Sequence, residues 1–88
     1  MNVPVPRADL LIREIEGETV VLNRADGHIH TLNPTASFIW RQLDGEKSVQ
    51  DIAQLLADAF EVDHATARAD VVGIIDRLRE LQLLKEEE

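Results

Sequence analysis

The sequence has no cysteine and no tyrosine, and only one tryptophan, two phenylalanines, four glycines and three prolines in 88 residues. Without cysteine there is no disulfide framework and no thiolate metal site. With so few rings, Leu, Ile, Val and Ala must build the core. No apolar run approaches the ~18 residues that a membrane span needs. The N-terminus lacks a basic patch followed by an apolar stretch, so it does not read as a signal peptide. These absences suggest a cytoplasmic protein with no membrane partner. Positive charge is scarce: 9 Lys and Arg stand against 17 Asp and Glu, a formal net charge of −8. Such a surface repels polyanions at long range. A nucleic-acid reader would need a concentrated basic face, so no nucleic-acid partner is expected. There is also no Gly-rich phosphate loop, no Ser or Cys beside a His in a nucleophile motif, and no paired-carboxylate constellation. The chain is therefore expected not to be an enzyme and to need no cofactor.

What is present is a normal apolar share, 44%, in a length that suits one small domain. The hydrophobic period changes near Asn33. Before it the pattern is strand-like. Residues 9–16 are rich in Leu and Ile, and Glu16-Gly17-Glu18 reads as a turn. Residues 19–22 are β-branched and strand-like. Residues 23–27 read as a hairpin loop ending in Gly27, and residues 28–32 as a third strand. Two tight connections make this an antiparallel meander. After Asn33 the pattern is helical. Asn33 is a good N-cap, and Pro34 suits the first helical position. Ala36, Ile39, Trp40 and Leu43 share one face, and Asp44-Gly45 ends that helix. Ser48 and Asp51 resemble a capping box for a second helix, whose apolar face is Val49, Ile52, Ala53, Leu56, Ala59 and Phe60. Asp63 can cap a third helix running to about Leu81. The expected fold is α+β: a three-stranded antiparallel meander followed by three helices, a winged helix-turn-helix-like layout in rearranged order. Residues 1–8 read as a loose segment, residues 9–84 as one domain, and residues 85–88 as an acidic tail.

The third helix carries two stripes. Ala67, Val71, Ile74, Leu78 and Leu81 form the expected core face. Roughly 110° around the helix lie Arg68, Val72, Ile75 and Arg79. One reading is that Val72 and Ile75 only widen the core stripe. The other is a groove wall with basic ends. The helix also bears Asp70, Asp76 and Glu80, which makes it a poor DNA recognition helix. His28 and His30, two apart on a strand, point to one face. A third ligand is missing nearby, so no metal is expected there.

At particular residues the chain resembles the PqqD-like family. These are Gly17 to Leu22 (GETVVL), the Gly27 turn, Leu32 to Ala36 (LNPTA), Ile39-Trp40, and Leu43 to Gly45 (LDG). They continue with Ser48 to Ile52, Ala67 to Val71 (ARADV), and Leu81 to Leu84. The likeness spans about residues 9–84, and the ordered set is more specific than any piece. Many relatives carry aromatic residues in the third strand where this chain has Ile29 and His30. The resemblance implies a RiPP recognition element: a domain that binds the leader of a ribosomally made precursor peptide and presents it to a modifying enzyme. That enzyme is often a radical-SAM protein, as in the biosynthesis of pyrroloquinoline quinone (PQQ). The leader would add as a strand to the third strand, here His28, Ile29, His30, Thr31 and Leu32. It would rest on the third helix at Arg68, Val72, Ile75 and Arg79. The alternatives are a recognition subunit of a lasso-peptide leader peptidase, a winged-helix DNA-binding regulator, and a structural subunit of a larger enzyme.

Overall fold

The computed structural model describes residues 4–85. Three strands, β1 (Leu10–Ile15), β2 (Glu18–Asn23) and β3 (Ile29–Leu32), precede three helices, α1 (Pro34–Arg41), α2 (Val49–Phe60) and α3 (His64–Glu80). The sheet is antiparallel in the order β1-β2-β3, so both β1 and β3 are edges. The expected architecture is the observed one. The winged helix-turn-helix label fits only loosely, because all three helices follow the sheet.

Each helix starts where its cap chemistry dictates. The Asn33 side-chain oxygen accepts from the Ala36 N–H at 2.8 Å, with Pro34 opening α1. Ser48 and Asp51 form a reciprocal capping box at the start of α2. Asp63 accepts from the Thr66 N–H at 2.7 Å, and these hydrogen bonds from Thr66 hold its carboxyl below the usual carboxylate range. The hairpin turn between β1 and β2 has positive φ at both Glu16 (52°) and Gly17 (84°), as a two-residue type I′ turn requires.

The sheet has two unlike faces because side chains alternate along a strand. Thr19, Val21 and Asn23 of β2 are buried on the inner face; Leu32 of β3 joins them. Helix α1 lies across β2 and β3, and Ser37 ties it there. The buried Ser37 hydroxyl donates to the Leu32 carbonyl and accepts from the Thr19 N–H, both at 2.9 Å. Helices α2 and α3 pack along each other, and none of their Cα atoms lies within 8 Å of a strand Cα. One core results, centred on Val21, Ile39, Trp40, Ile52, Leu56 and Leu78.

Three details differ from the sequence expectation. Ala57, not Ala59, is buried on α2, and Phe60 at the helix end is half exposed, stacked edge-on against Phe38 with centroids 5.5 Å apart. Residues 4–7, expected to be loose, run beside the C-terminal segment. The Arg7 N–H donates to the Leu83 carbonyl at 3.1 Å and the Lys85 N–H to the Val5 carbonyl at 2.7 Å. Buried Leu83 and Leu84 anchor that pairing. Residues 1–3, and residues 86–88 of the expected acidic tail, lie outside the described residues.

Candidate functional site

The hydrogen bonds around the β2–β3 loop fix which groups of β3 face outward. Asn23 N–H donates to the His28 carbonyl at 2.9 Å, and the register continues as Val21↔His30 and Thr19↔Leu32. In an antiparallel ladder, hydrogen-bonded pairs alternate with non-bonded ones. The His28 carbonyl and the backbone groups of His30 and Leu32 therefore turn toward β2. Ile29 and Thr31 turn theirs toward the open edge. Side chains alternate the other way, so Ile29 and Thr31 project from the outer face while His30 and Leu32 project inward.

His28 belongs to the loop rather than to the strand. Its N–H donates to the Asp26 carboxylate at 2.9 Å, and its Nδ1 lies 3.3 Å from the same carboxylate. That N–H is the main cause holding the Asp26 carboxyl below its ordinary range. The His28 and His30 rings meet edge-on with centroids 6.3 Å apart. Among the described residues, no group of three or more His, Cys, Asp or Glu is placed to hold a metal ion, and no helix is long and apolar enough to cross a membrane. Beneath the sheet, three buried side-chain atoms have no hydrogen-bond partner among the described residues: Thr19 Oγ1, Asn23 Nδ2 and His30 Nε2. All three residues point to the inner face, toward which the inward side chains of an added strand would also turn.

The second stripe of α3 divides. Ile75 is 3% exposed and sits in the core with Ala67, Val71 and Leu78, so its side chain forms no groove surface. Ile74 and Leu81, expected in the core, are only partly buried against it. The core face is thus turned toward Ile75, the stripe-widening alternative for that residue. Val72 is 40% exposed, and Arg68 and Arg79 are exposed on either side of it along the helix. Arg79 is engaged with Asp76 at 3.3 Å, and Arg77 with Glu80 at 3.6 Å, both within the helix. No Cα of β3 lies within 8 Å of a Cα of α3.

Sequence reasoning did not single out the outer face of the sheet. There an open depression of about 510 Å³ is lined by Ile15, Glu16, Glu18, Val20, Thr31 and Pro34. Its signal was available. In Leu10–Ile15 and Glu18–Asn23, aliphatic residues occupy consecutive positions, so both faces of these strands are apolar.

Residues 18–84 match the family model for coenzyme PQQ synthesis protein D (PqqD). A PqqA binding protein of Xanthomonas axonopodis pv. citri (strain 306) is 29% identical over 82 residues, covering 93% of this chain and 89% of the relative. A PqqA binding protein of Xanthomonas euvesicatoria pv. vesicatoria (strain 85-10) is 37% identical over 54 residues, 61% of this chain and 59% of the relative. Among solved structures, a lasso peptide synthetase B1 complexed with the leader peptide matches with a TM-score of 0.86 at 25% identity, covering 96% of this chain and 99% of that one. The fold is shared at a TM-score of 0.86 with TbiB1 in complex with the TbiA(beta) leader peptide, at 23% identity over 96% of this chain and 98% of that one. It is shared at 0.79 with the PqqD truncation of Methylobacterium extorquens PqqCD, described as a stand-alone RiPP recognition element, at 24% identity over 96% and 89%. With the family model matching from β2 to the end of the C-terminal segment, and with the strand and helix order the same, this chain belongs to the PqqD family.

Proposed function

We propose that this chain binds the leader segment of a ribosomally synthesised precursor peptide and presents it to a modifying enzyme, without performing chemistry itself. The observation that carries this reading is the open edge of β3, with the backbone groups of Ile29 and Thr31 turned outward, in a chain that belongs to the PqqD family. A sheet edge offers N–H and C=O groups that an extended peptide satisfies without any required side chain, and pockets for alternate side chains supply the choice of sequence. The wall for the inward side chains is Val72, with Ile75 buried beneath it as support. Arg68 and Arg79 meet acidic residues of the leader, Arg79 by exchanging its Asp76 partner. A further strand between β3 and α3 is compatible with their spacing, since no Cα of one lies within 8 Å of a Cα of the other. Leader recognition of this kind takes place in the cytoplasm, where the precursor is translated.

The PqqA-binding relatives favour a PQQ-type precursor handed to a radical-SAM protein. A lasso-type precursor handed to a leader peptidase is the second reading, favoured by the higher TM-score to the lasso B1 protein than to the PqqD truncation. The test is to recover the tagged chain from its native host and identify the small peptides that accompany it by mass spectrometry. A co-purifying precursor whose synthetic leader binds with a micromolar Kd, about −8 kcal/mol, is expected. A gel shift with duplex DNA at low salt, and no accompanying peptide, would replace the reading with a DNA-binding one.

A further inference from the structure

Among the described residues, no helix lies over the outer face of the sheet. Helix α1 packs on the inner face of β2 and β3 and reaches β1 through the Arg41–Glu14 ion pair at 3.4 Å, while β1 stays exposed along almost its whole length. Ile15 is 57% exposed and Ile29 66%, with Leu11 exposed and Val20 and Leu22 half buried among them. Exposed aliphatic side chains gathered on one face of a chain of net charge −8 suit a contact with another molecule. The depression at its centre has a carboxylate wall, Glu16 and Glu18, beside the aliphatic groups of Ile15 and Val20. Arg13 is the cation of β1 on this face; its guanidinium lies 3.4 Å from the Ile12 carbonyl of its own strand.

We propose that the outer face of the β1–β2 hairpin docks the enzyme that modifies the precursor, through an enzyme surface that sets aliphatic side chains beside Lys or Arg. This rests on the leader-binding reading and identifies the second contact that reading requires. A leader lying along β3 occupies that edge, so the enzyme must meet the chain elsewhere. Charge selects the occupant. A second copy of this chain would bring a further −8 and, on this face of β1, only Arg13 to set against Glu16 and Glu18, whereas a basic and aliphatic surface complements both the wall and the floor of the depression. Position supports it as well. Thr31 lines the depression and its backbone groups face the open edge, so an enzyme seated there stands within about one strand spacing, ~4.8 Å, of the added leader.

The test uses the full chain, its cognate precursor and the purified modifying enzyme. The variants are Ile15→Lys and the pair Glu16→Lys with Glu18→Lys, all at exposed or half-buried positions outside the leader site. Leader Kd is measured by calorimetry, enzyme affinity by biolayer interferometry with leader at saturation, and the mass of the chain alone by sedimentation. The expected result is a leader Kd within about twofold of the parent and an enzyme affinity at least tenfold weaker for both variants, with the charge pair losing more at low salt. Unchanged enzyme affinity alongside intact leader binding would overturn the docking face and leave the leader reading standing. A chain that sediments as a dimer and is split by Ile15→Lys would overturn it in favour of a second copy. A parent chain that does not bind the leader would remove both.

Discussion

Replacing Ile75 and Val72 in turn by Ala separates the two neighbouring functions of α3. Ile75 is 3% exposed, so Ile75→Ala takes three buried carbons out of the core. Transfer alone costs ~2.4 kcal/mol at ~0.8 kcal/mol per methylene. The cavity adds to this, within the ~2–5 kcal/mol range of such truncations. Domains of this size have roughly 4–13 kcal/mol of stability in all, at ~0.05–0.15 kcal/mol per residue. Each kcal/mol shifts the midpoint by ~4–8 °C. Ile75→Ala should thus melt ~10–40 °C below the parent. Val72 is 40% exposed and gives up contacts on one side only. Val72→Ala should melt within a few degrees of the parent, in line with the ~0.5 kcal/mol of ordinary surface changes, while weakening leader binding. Thermal melts followed by circular dichroism, paired with calorimetry, read both quantities. Equal melting losses for the two variants, or none for either, would refute the division of the stripe into a core residue and a surface residue.

Other perturbations test other parts. Ser37→Ala removes the hydroxyl that serves both the Thr19 N–H and the Leu32 carbonyl; leaving such groups buried and unmet costs ~1–3 kcal/mol, and denaturant unfolding should show it. Trp40→Ala empties a site that is 7% exposed and should cost ~3–5 kcal/mol; a variant that melts like the parent but loses peptide binding would place the indole in the site instead. Lys47, through its side-chain hydrogen bond and then with the backbone N–H groups of Glu46 and Lys47, holds the Asp44 carboxyl down to about 2. Because this pKa is lower folded than unfolded, the contribution is complete above about pH 4. It fades as pH falls through about 2. An NMR titration of Asp44, and melts at falling pH that Asp44→Asn flattens in that window, check the sign.

The fold was legible wherever local chemistry decides it. Asn33-Pro34, Ser48 with Asp51, and Asp63 each mark a helix start, because the first N–H groups of a helix need an acceptor and these residues supply one. The meander was legible from Gly17 and Gly27, whose φ values are positive. What depends on distant contacts was not. Ile74 and Ile75 are adjacent aliphatics on one helix, and only the packing of α3 on α2 and α1 decides which is buried. Ser37 carries no local signal of its tie to two strands. The pairing of residues 4–7 with the C-terminal segment spans the whole chain, and no periodicity reports it. The β3 edge itself was proposed through family resemblance. The ladder adds which residues turn their backbone outward, and it shows that β1 is an edge as well.

The most direct test of the leader-binding account is calorimetric titration of the cognate leader into the parent chain, Thr31→Pro and Val72→Asp, with melts recorded for each. Thr31 has its N–H on the open edge, so Pro there removes a donor to an added strand without breaking a β2–β3 bond. Val72→Asp sets a carboxylate against an apolar anchor of the leader, which costs desolvation. The account predicts micromolar binding to the parent and a loss of at least about tenfold, ~1.4 kcal/mol, in each variant, with melts close to the parent's. Parent-like affinity in both folded variants would place the leader elsewhere and contradict the account.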